Sequence, residues 1–118
     1  TCAKLAGAQP PADRPIDGLD ISPLLFGGTP PDRGVFLYYR GATLYAARLG
    51  PWKAHYITRS AYGPDQPAPH DPPLLFHLGE DPGEKFNVAA DHPAVLDRIQ
   101  QAVQKHLAAL EKAPSQLE

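Results

Sequence analysis

Proline constrains this chain more than any other residue does. Fifteen of the 118 positions are proline, about 13% where roughly 5% is usual. Inside a helix each proline would remove a hydrogen bond and clash with the preceding turn. An all-helical bundle is therefore excluded, and long ordered loops are expected. The prolines thicken in residues 8–34, beside Gly18, Gly27, Gly28 and Gly34, and again in residues 59–73. Both stretches read as turn and loop, and a structureless loop as long as the second is usually functional or disordered.

At 118 residues the chain is one domain or part of one. A hydrophobic content of 42% with 20% charged residues places it among globular proteins. Cys2 is the single cysteine, which excludes an internal disulfide and a four-cysteine zinc site. No run approaches the ~20 apolar residues of a membrane span, and the first residues lack a signal peptide's charged and apolar regions. A net charge of −2 argues against nucleic acid as a partner. The charge is uneven, however. Residues 32–59 carry Arg33, Arg40, Arg48, Lys53 and Arg59 against Asp32 alone, whereas residues 60–118 hold nine acids and four bases. Such a basic segment can tune a surface toward an anion.

The pattern divides at residue 34. Residues 1–34 read as the end of an upstream helix plus a linker, and residues 35–118 as the folded subdomain. Thr1–Gly7 fits a helix end with Gly7 just beyond it, and Pro10-Pro11 prevents continuation. So short a helix cannot stand alone, so a longer parent chain is expected; the absence of Met agrees. Cys2, among Ala and Leu, is expected to be packed. Ser22 is the expected N-cap of a one-turn helix, with Pro23 at N1.

Strands are predicted at 35–39, 44–48 and 52–58. The third alternates Trp52, Ala54, Tyr56 and Thr58 against Lys53, His55 and Ile57, and short connections make the three an antiparallel meander. A fourth strand at 74–78 is nearly all apolar, which predicts a central, covered position. Asp81-Pro82-Gly83-Glu84 has the type II turn signature. Asp91 is the expected N-cap of a final helix, in which Leu96, Ile99, Val103, Leu107 and Leu110 form one stripe. Arg98, Gln101, Lys105 and Lys112 lie on its wet side, and Pro114 ends it. The predicted fold class is α+β, a four-stranded antiparallel sheet packed against one long C-terminal helix.

No catalytic set emerges from the residues themselves. Ser22, Ser60 and Ser115 lack a G-x-S-x-G context, and the glycines form no phosphate loop. His55, His70, His77, His92 and His106 show no metal-ligand spacing, so no metal site is assigned. His106, at the edge of the stripe, reads as a packing residue or a partner of the helix C-terminus.

Three stretches taken in order carry a resemblance. They are Ile16-Asp17-Gly18-Leu19-Asp20-Ile21-Ser22-Pro23-Leu24-Leu25, Lys53-Ala54-His55-Tyr56-Ile57-Thr58, and Pro73-Leu74-Leu75-Phe76-His77-Leu78 leading into Asp81-Pro82-Gly83-Glu84. Together they resemble the C-terminal subdomain of the arylsulfatase family over essentially the whole chain. Residues 38–55 and 74–86 are most similar to its branch that removes the 6-sulfate of galactosamine or galactose in glycosaminoglycans.

The resemblance implies sulfate ester hydrolysis by a parent protein, with a calcium ion and a formylglycine in the parent's catalytic domain. The formylglycine arises in a C-x-P-x-R motif. Cys2 is followed by Ala3-Lys4-Leu5-Ala6, so this chain carries no catalytic residue, and alone it should hydrolyse nothing. The implied partners are the parent catalytic domain and the parent's sulfated glycan, with a second copy of the chain as a further partner. The parent is expected to be periplasmic, secreted or lysosomal. His55, Arg59 and His70 are the candidates for the rim of the substrate pocket, where basic groups would steer a sulfated sugar. The plainer alternative has His55 satisfied by sheet backbone, with Arg59 and His70 as solvated loop residues. A free-standing module for binding sulfated carbohydrate, or for oligomerisation, is the alternative of another class. One face of the sheet, carrying Tyr38 and Tyr45, would be left without a helix and must meet the catalytic domain, a second copy or water.

Overall fold

A computed structural model describes residues 1–110 apart from Arg14, Pro15, Asp17, Ala61 and Gly63. Asp17 of the first quoted motif, Lys112 on the wet side of the helix and the terminating Pro114 therefore lie outside the described residues. The chain forms two compact units, Thr1–Arg33 and Gly34–Glu118.

The first unit holds two single-turn helices, α1 (Cys2–Leu5) and α2 (Ser22–Leu25). Gly7 follows α1 at φ +70°, where glycine has no steric penalty. Cys2 is exposed, contrary to the expected packing, because one turn of helix buries no face here. The cap of α2 also differs. Ile21 is the N-cap, and the backbone N–H of Ser22 donates to Asp20 Oδ1 at 2.9 Å. The capping carboxylate thus comes from one residue upstream of the cap. Thr1 Oγ1 accepts from the Ile21 N–H at 2.8 Å and donates to the Leu19 carbonyl at 3.2 Å, and Lys4 pairs with Asp20 at 2.9 Å.

The second unit is the predicted two-layer α+β fold. Strands β1 (Val35–Arg40), β2 (Thr43–Leu49), β3 (Trp52–Thr58) and β4 (Ala68–His77) form one sheet in the order β1-β2-β3-β4, all antiparallel. Helix α3 (Pro93–Ala109) covers one face. Ala47 and Ala54 on the sheet, with Leu75, meet Ile99, Val103 and Ala89 in the core. Small alanines let the helix approach closely, and β-branched Ile99 and Val103 fill the space.

Strand β4 corrects two expectations. It is an edge strand, not a central one, and it reaches back to Ala68, taking in the last part of the supposed loop. Pro69, Pro72 and Pro73 are tolerated because an edge strand has a side whose N–H groups pair with no neighbouring strand. Between the pairs His55–Leu74 and Ile57–Pro69 the register breaks, and residues 70–73 arch out opposite Tyr56. The outer edge at Leu75 is closed by another segment. The Leu75 N–H donates to Asn87 Oδ1 at 2.9 Å, and its carbonyl accepts from the Val88 N–H at 2.9 Å.

Helix α3 starts one residue later than predicted. His92 is the N-cap, Pro93 occupies the first turn, and no side chain caps the helix. Ring packing of His92 on Trp52, centroids 4.7 Å apart, anchors this end instead. Only the middle of the apolar stripe is covered. Ile99 and Val103 are buried, but Leu107 and Leu110 are 42% and 45% exposed. His106 is half-buried with its ring 6.3 Å from that of Tyr39, which fits the first of the two roles expected of it, and it is also the basic residue in the last turn of α3.

Candidate functional site on the outer sheet face

Alternation along β3 turns Lys53, His55 and Ile57 away from the helix. The register sets Tyr38, Ala46, His55 and Leu74 in one row across the sheet, and Phe36, Arg48, Lys53 and Phe76 in the next. The outer face is thus aromatic and basic. Phe36 and Tyr38 meet edge to face at 4.9 Å, and the Lys53 ammonium lies 4.8 Å from the Tyr38 ring centroid. The His55 ring stands edge-on to Phe76 at 5.7 Å.

A carboxylate from a distant turn completes this cluster. Lys53 Nζ donates to Glu84 Oε1 at 2.6 Å, and His55 Nε2 lies 2.7 Å from Glu84 Oε2. A carboxylate only accepts here, so Nε2 carries the imidazole proton. His55 is therefore satisfied by a side chain, not by sheet backbone. The 81–84 turn closes through the Glu84 N–H to the Asp81 carbonyl at 3.1 Å. It is not the predicted type II turn. Gly83 does not take positive φ; the left-handed residue is Glu84, at φ +52°.

Burial lowers the pKa of His55, the Lys53 charge lowers it further, and Glu84 only partly offsets both. The ring is thus held neutral to lower pH than an ordinary histidine. Burial works to raise the pKa of Glu84, but hydrogen bonding and charge from Lys53, joined by His55, bring it below the usual value. Tyr56, on the helix side of β3, is raised by burial.

The three candidates from the sequence are distributed unequally. His55 and Arg59 line one shallow concavity with Tyr38, Tyr45, Lys53, Ile57 and Thr58. Arg59 is exposed, and its Nε–H donates to the Asp65 carbonyl at 2.8 Å, tying the loop after β3. His70 lies in the arch of β4 and lines a different groove, with Tyr56, Pro72, Pro93 and Leu96. The two are joined by Thr58, whose Oγ1 is 2.8 Å from His70 Nε2. Sequence reading missed Lys53 and Glu84 as parts of the cluster. The Lys-Ala-His alternation could have signalled Lys53, but nothing local pointed to Glu84. Among the described residues, no group of three or more His, Cys, Asp or Glu side chains could hold a metal ion. The described residues therefore do not fit a calcium site. No helix among them is long and apolar enough to cross a membrane.

Comparison with known proteins agrees with this architecture. Residues 31–118 match the family model described as the C-terminal region of aryl-sulfatase. The chain is 41% identical to the N-acetylgalactosamine-6-sulfatase of Homo sapiens over 99% of its length, covering 27% of that protein. It is 39% identical to the steryl-sulfatase of Mus musculus, covering 99% of this chain and 23% of the relative. It is likewise 39% identical to the arylsulfatase A of Bos taurus, covering 89% and 24%. The chain thus spans about a quarter of the length of these curated relatives. A solved structure, the PsFucS1 sulfatase from Pseudoalteromonas sp., shares the fold. Its TM-score is 0.55 at 19% identity, over 70% of this chain and 18% of that one.

Proposed function

The chain belongs to the aryl-sulfatase family, as its C-terminal region, and from that premise we propose that it is the non-catalytic subdomain of a protein hydrolysing sulfate esters. The substrate we assign is the 6-sulfate of galactosamine or galactose in glycosaminoglycans. The observation that carries this reading is the 41% identity to an N-acetylgalactosamine-6-sulfatase along the whole chain, over only 27% of that relative. The nucleophile, a formylglycine, and the calcium ion belong to the parent's catalytic domain. Cys2, the sole cysteine, precedes Ala3-Lys4 and stands outside any C-x-P-x-R context. The parent acts in a periplasmic, secreted or lysosomal compartment.

The contribution of this subdomain is electrostatic and steric. His55 and Arg59, with His70 nearby, stand at the pocket rim and steer an anionic sugar toward the catalytic domain. A concavity with two tyrosines, a lysine, a histidine and an arginine supports this role, because aromatic faces and cations together suit a sulfated sugar.

Two measurements test the proposal. The full-length protein should desulfate galactose 6-sulfate faster than an unrelated sulfate ester, and Arg59→Ala should raise KM several-fold with kcat little changed. The 118-residue chain alone should turn over no chromogenic aryl sulfate, with or without calcium. Turnover by the pure chain that disappears in Cys2→Ala would refute the non-catalytic assignment. Preference of the full-length protein for another sulfate ester would refute the substrate.

A further inference from the structure

Glu84 is the one non-glycine residue with left-handed backbone among those described. That conformation is costly for a residue with a Cβ and favours glycine. A glycine stands immediately before it and does not take the position. Strain of this kind persists only where the surroundings over-determine it, and it gathers at functional sites. The surroundings here are explicit. The Asp81 carbonyl accepts from the Glu84 N–H, and Asp81 Oδ2 accepts from the N–H groups of Lys85 at 2.7 Å and Phe86 at 2.8 Å. The turn is therefore clamped on both sides of Glu84.

The clamp projects one carboxylate onto two neighbours of the same strand face. Side-chain exposures of 16% for Lys53, 17% for His55 and 27% for Glu84 set this cluster apart from an ordinary solvated ion pair. The Tyr38 ring lies beneath the ammonium and Phe76 abuts the neutral imidazole, so both side chains are held in one orientation. An ammonium has three N–H donors, and Glu84 engages it through one oxygen. The adjoining concavity is lined by Tyr45 and Arg59.

We propose that Glu84 is a positioning residue. Its left-handed turn aims one carboxylate at Lys53 and His55 and so fixes both side chains on the outer sheet face, where the remaining N–H donors of the Lys53 ammonium receive an anionic group of the substrate. The proposal rests on the reading that His55 belongs to the pocket rim. Lys53 touches the anion, His55 lines the same concavity beside it, and Glu84 acts through both.

The test uses the full-length protein, with galactose 6-sulfate as substrate and the variants Glu84→Gln, Glu84→Gly, Glu84→Asp, His55→Ala and Lys53→Ala. Losing a charge-assisted hydrogen bond should raise KM about tenfold in Glu84→Gln with a smaller change in kcat. Glu84→Gly relieves the backbone strain, so its Tm should stay near or above that of Glu84→Gln while KM rises as much. Glu84→Asp, which tolerates left-handed backbone and keeps the charge, should recover part of the loss. The acid limb of the pH profile of kcat/KM should move in Glu84→Gln, because His55 is faced by Lys53, Glu84 and His70, with Arg59 and the two tyrosines around the same concavity. If His55→Ala and Lys53→Ala raise KM but every Glu84 variant leaves KM and the profile unchanged, this inference is overturned and the rim reading stands. If the Glu84 variants change only Tm, Glu84 is a structural staple and the inference is again overturned. If His55→Ala and Lys53→Ala also leave KM unchanged, the rim reading itself fails.

Discussion

Truncating Ile99 to alanine tests how α3 holds the sheet. The side chain is fully buried, in a cluster with Ala47, Ala54, Leu75, Ala89 and Val103. The change removes three carbons, about 2.4 kcal/mol at roughly 0.8 kcal/mol per buried methylene. The sheet residues in the cluster include Ala47 and Ala54, which have no longer side chains to swing into the gap. The cavity therefore persists and adds roughly 1 kcal/mol. The expected loss is about 3–4 kcal/mol, within the range measured for such truncations. The unit Gly34–Glu118, at ~0.05–0.15 kcal/mol per residue, has about 4–13 kcal/mol in all. Tm should fall by about 12–30 °C, at ~4–8 °C per kcal/mol for a domain of this size. Urea unfolding followed by circular dichroism should show a lower midpoint with an unchanged slope. Leu107→Ala lies on the same stripe but is 42% exposed, and should cost about 1 kcal/mol or less. Equal losses from the two, or an Ile99→Ala cost below ~1 kcal/mol, would show that burial along α3 does not hold the sheet.

Acidification should destabilise the fold in two stages. His55 lies below its ordinary value in the folded chain, so below about pH 6.5 the unfolded chain takes up its proton first and stability falls through the folded pKa. Glu84 is also lowered, and its contribution, complete above about pH 4.3, is lost as pH falls through the folded value. His55→Gln should abolish the upper stage and Glu84→Gln the lower, read as urea midpoints against pH; stability that rises on acidification would contradict both signs. At the edge of β4, Asn87→Ala should cost about 1–3 kcal/mol by orphaning the Leu75 and Ala89 N–H groups. Asn87→Asp keeps the acceptor and should cost less, with slow exchange of the Leu75 amide preserved; equal effects of the two substitutions would exclude the hydrogen bond as the cause.

What the sequence disclosed follows from the range of the forces involved. Strand β3 was legible residue by residue, because strict alternation from Trp52 to Thr58 is a local signal of a half-buried strand. The body of α3 was legible from its stripe, but the exposure of Leu107 and Leu110 was not, since periodicity marks a face and says nothing of what covers it. Strand β4 was misjudged because Pro69, Pro72 and Pro73 count against a strand only when both of its edges must pair. Within the candidate site, His55, Arg59 and His70 were named from the family resemblance together with the basic segment and the proline-rich loop. Glu84 was invisible as a partner, being 29 residues from His55 and 31 from Lys53. Nothing in Asp-Pro-Gly-Glu announces that the left-handed position falls on its last residue.

The closure of β4 by Asn87 and Val88 also bears on how the chain folds. A bare edge rich in Leu and Phe offers another chain a template for strand addition. Here the covering segment follows closely: Leu75 and Asn87 are 12 residues apart, and a loop of about ten residues closes in some 10–100 ns. Hairpin formation takes microseconds. By the time β4 has aligned on β3, its outer rim has sampled closure many times over. The interval in which a neighbouring molecule could capture that rim is correspondingly brief, and the protection arises within the chain before any partner domain is needed to provide it.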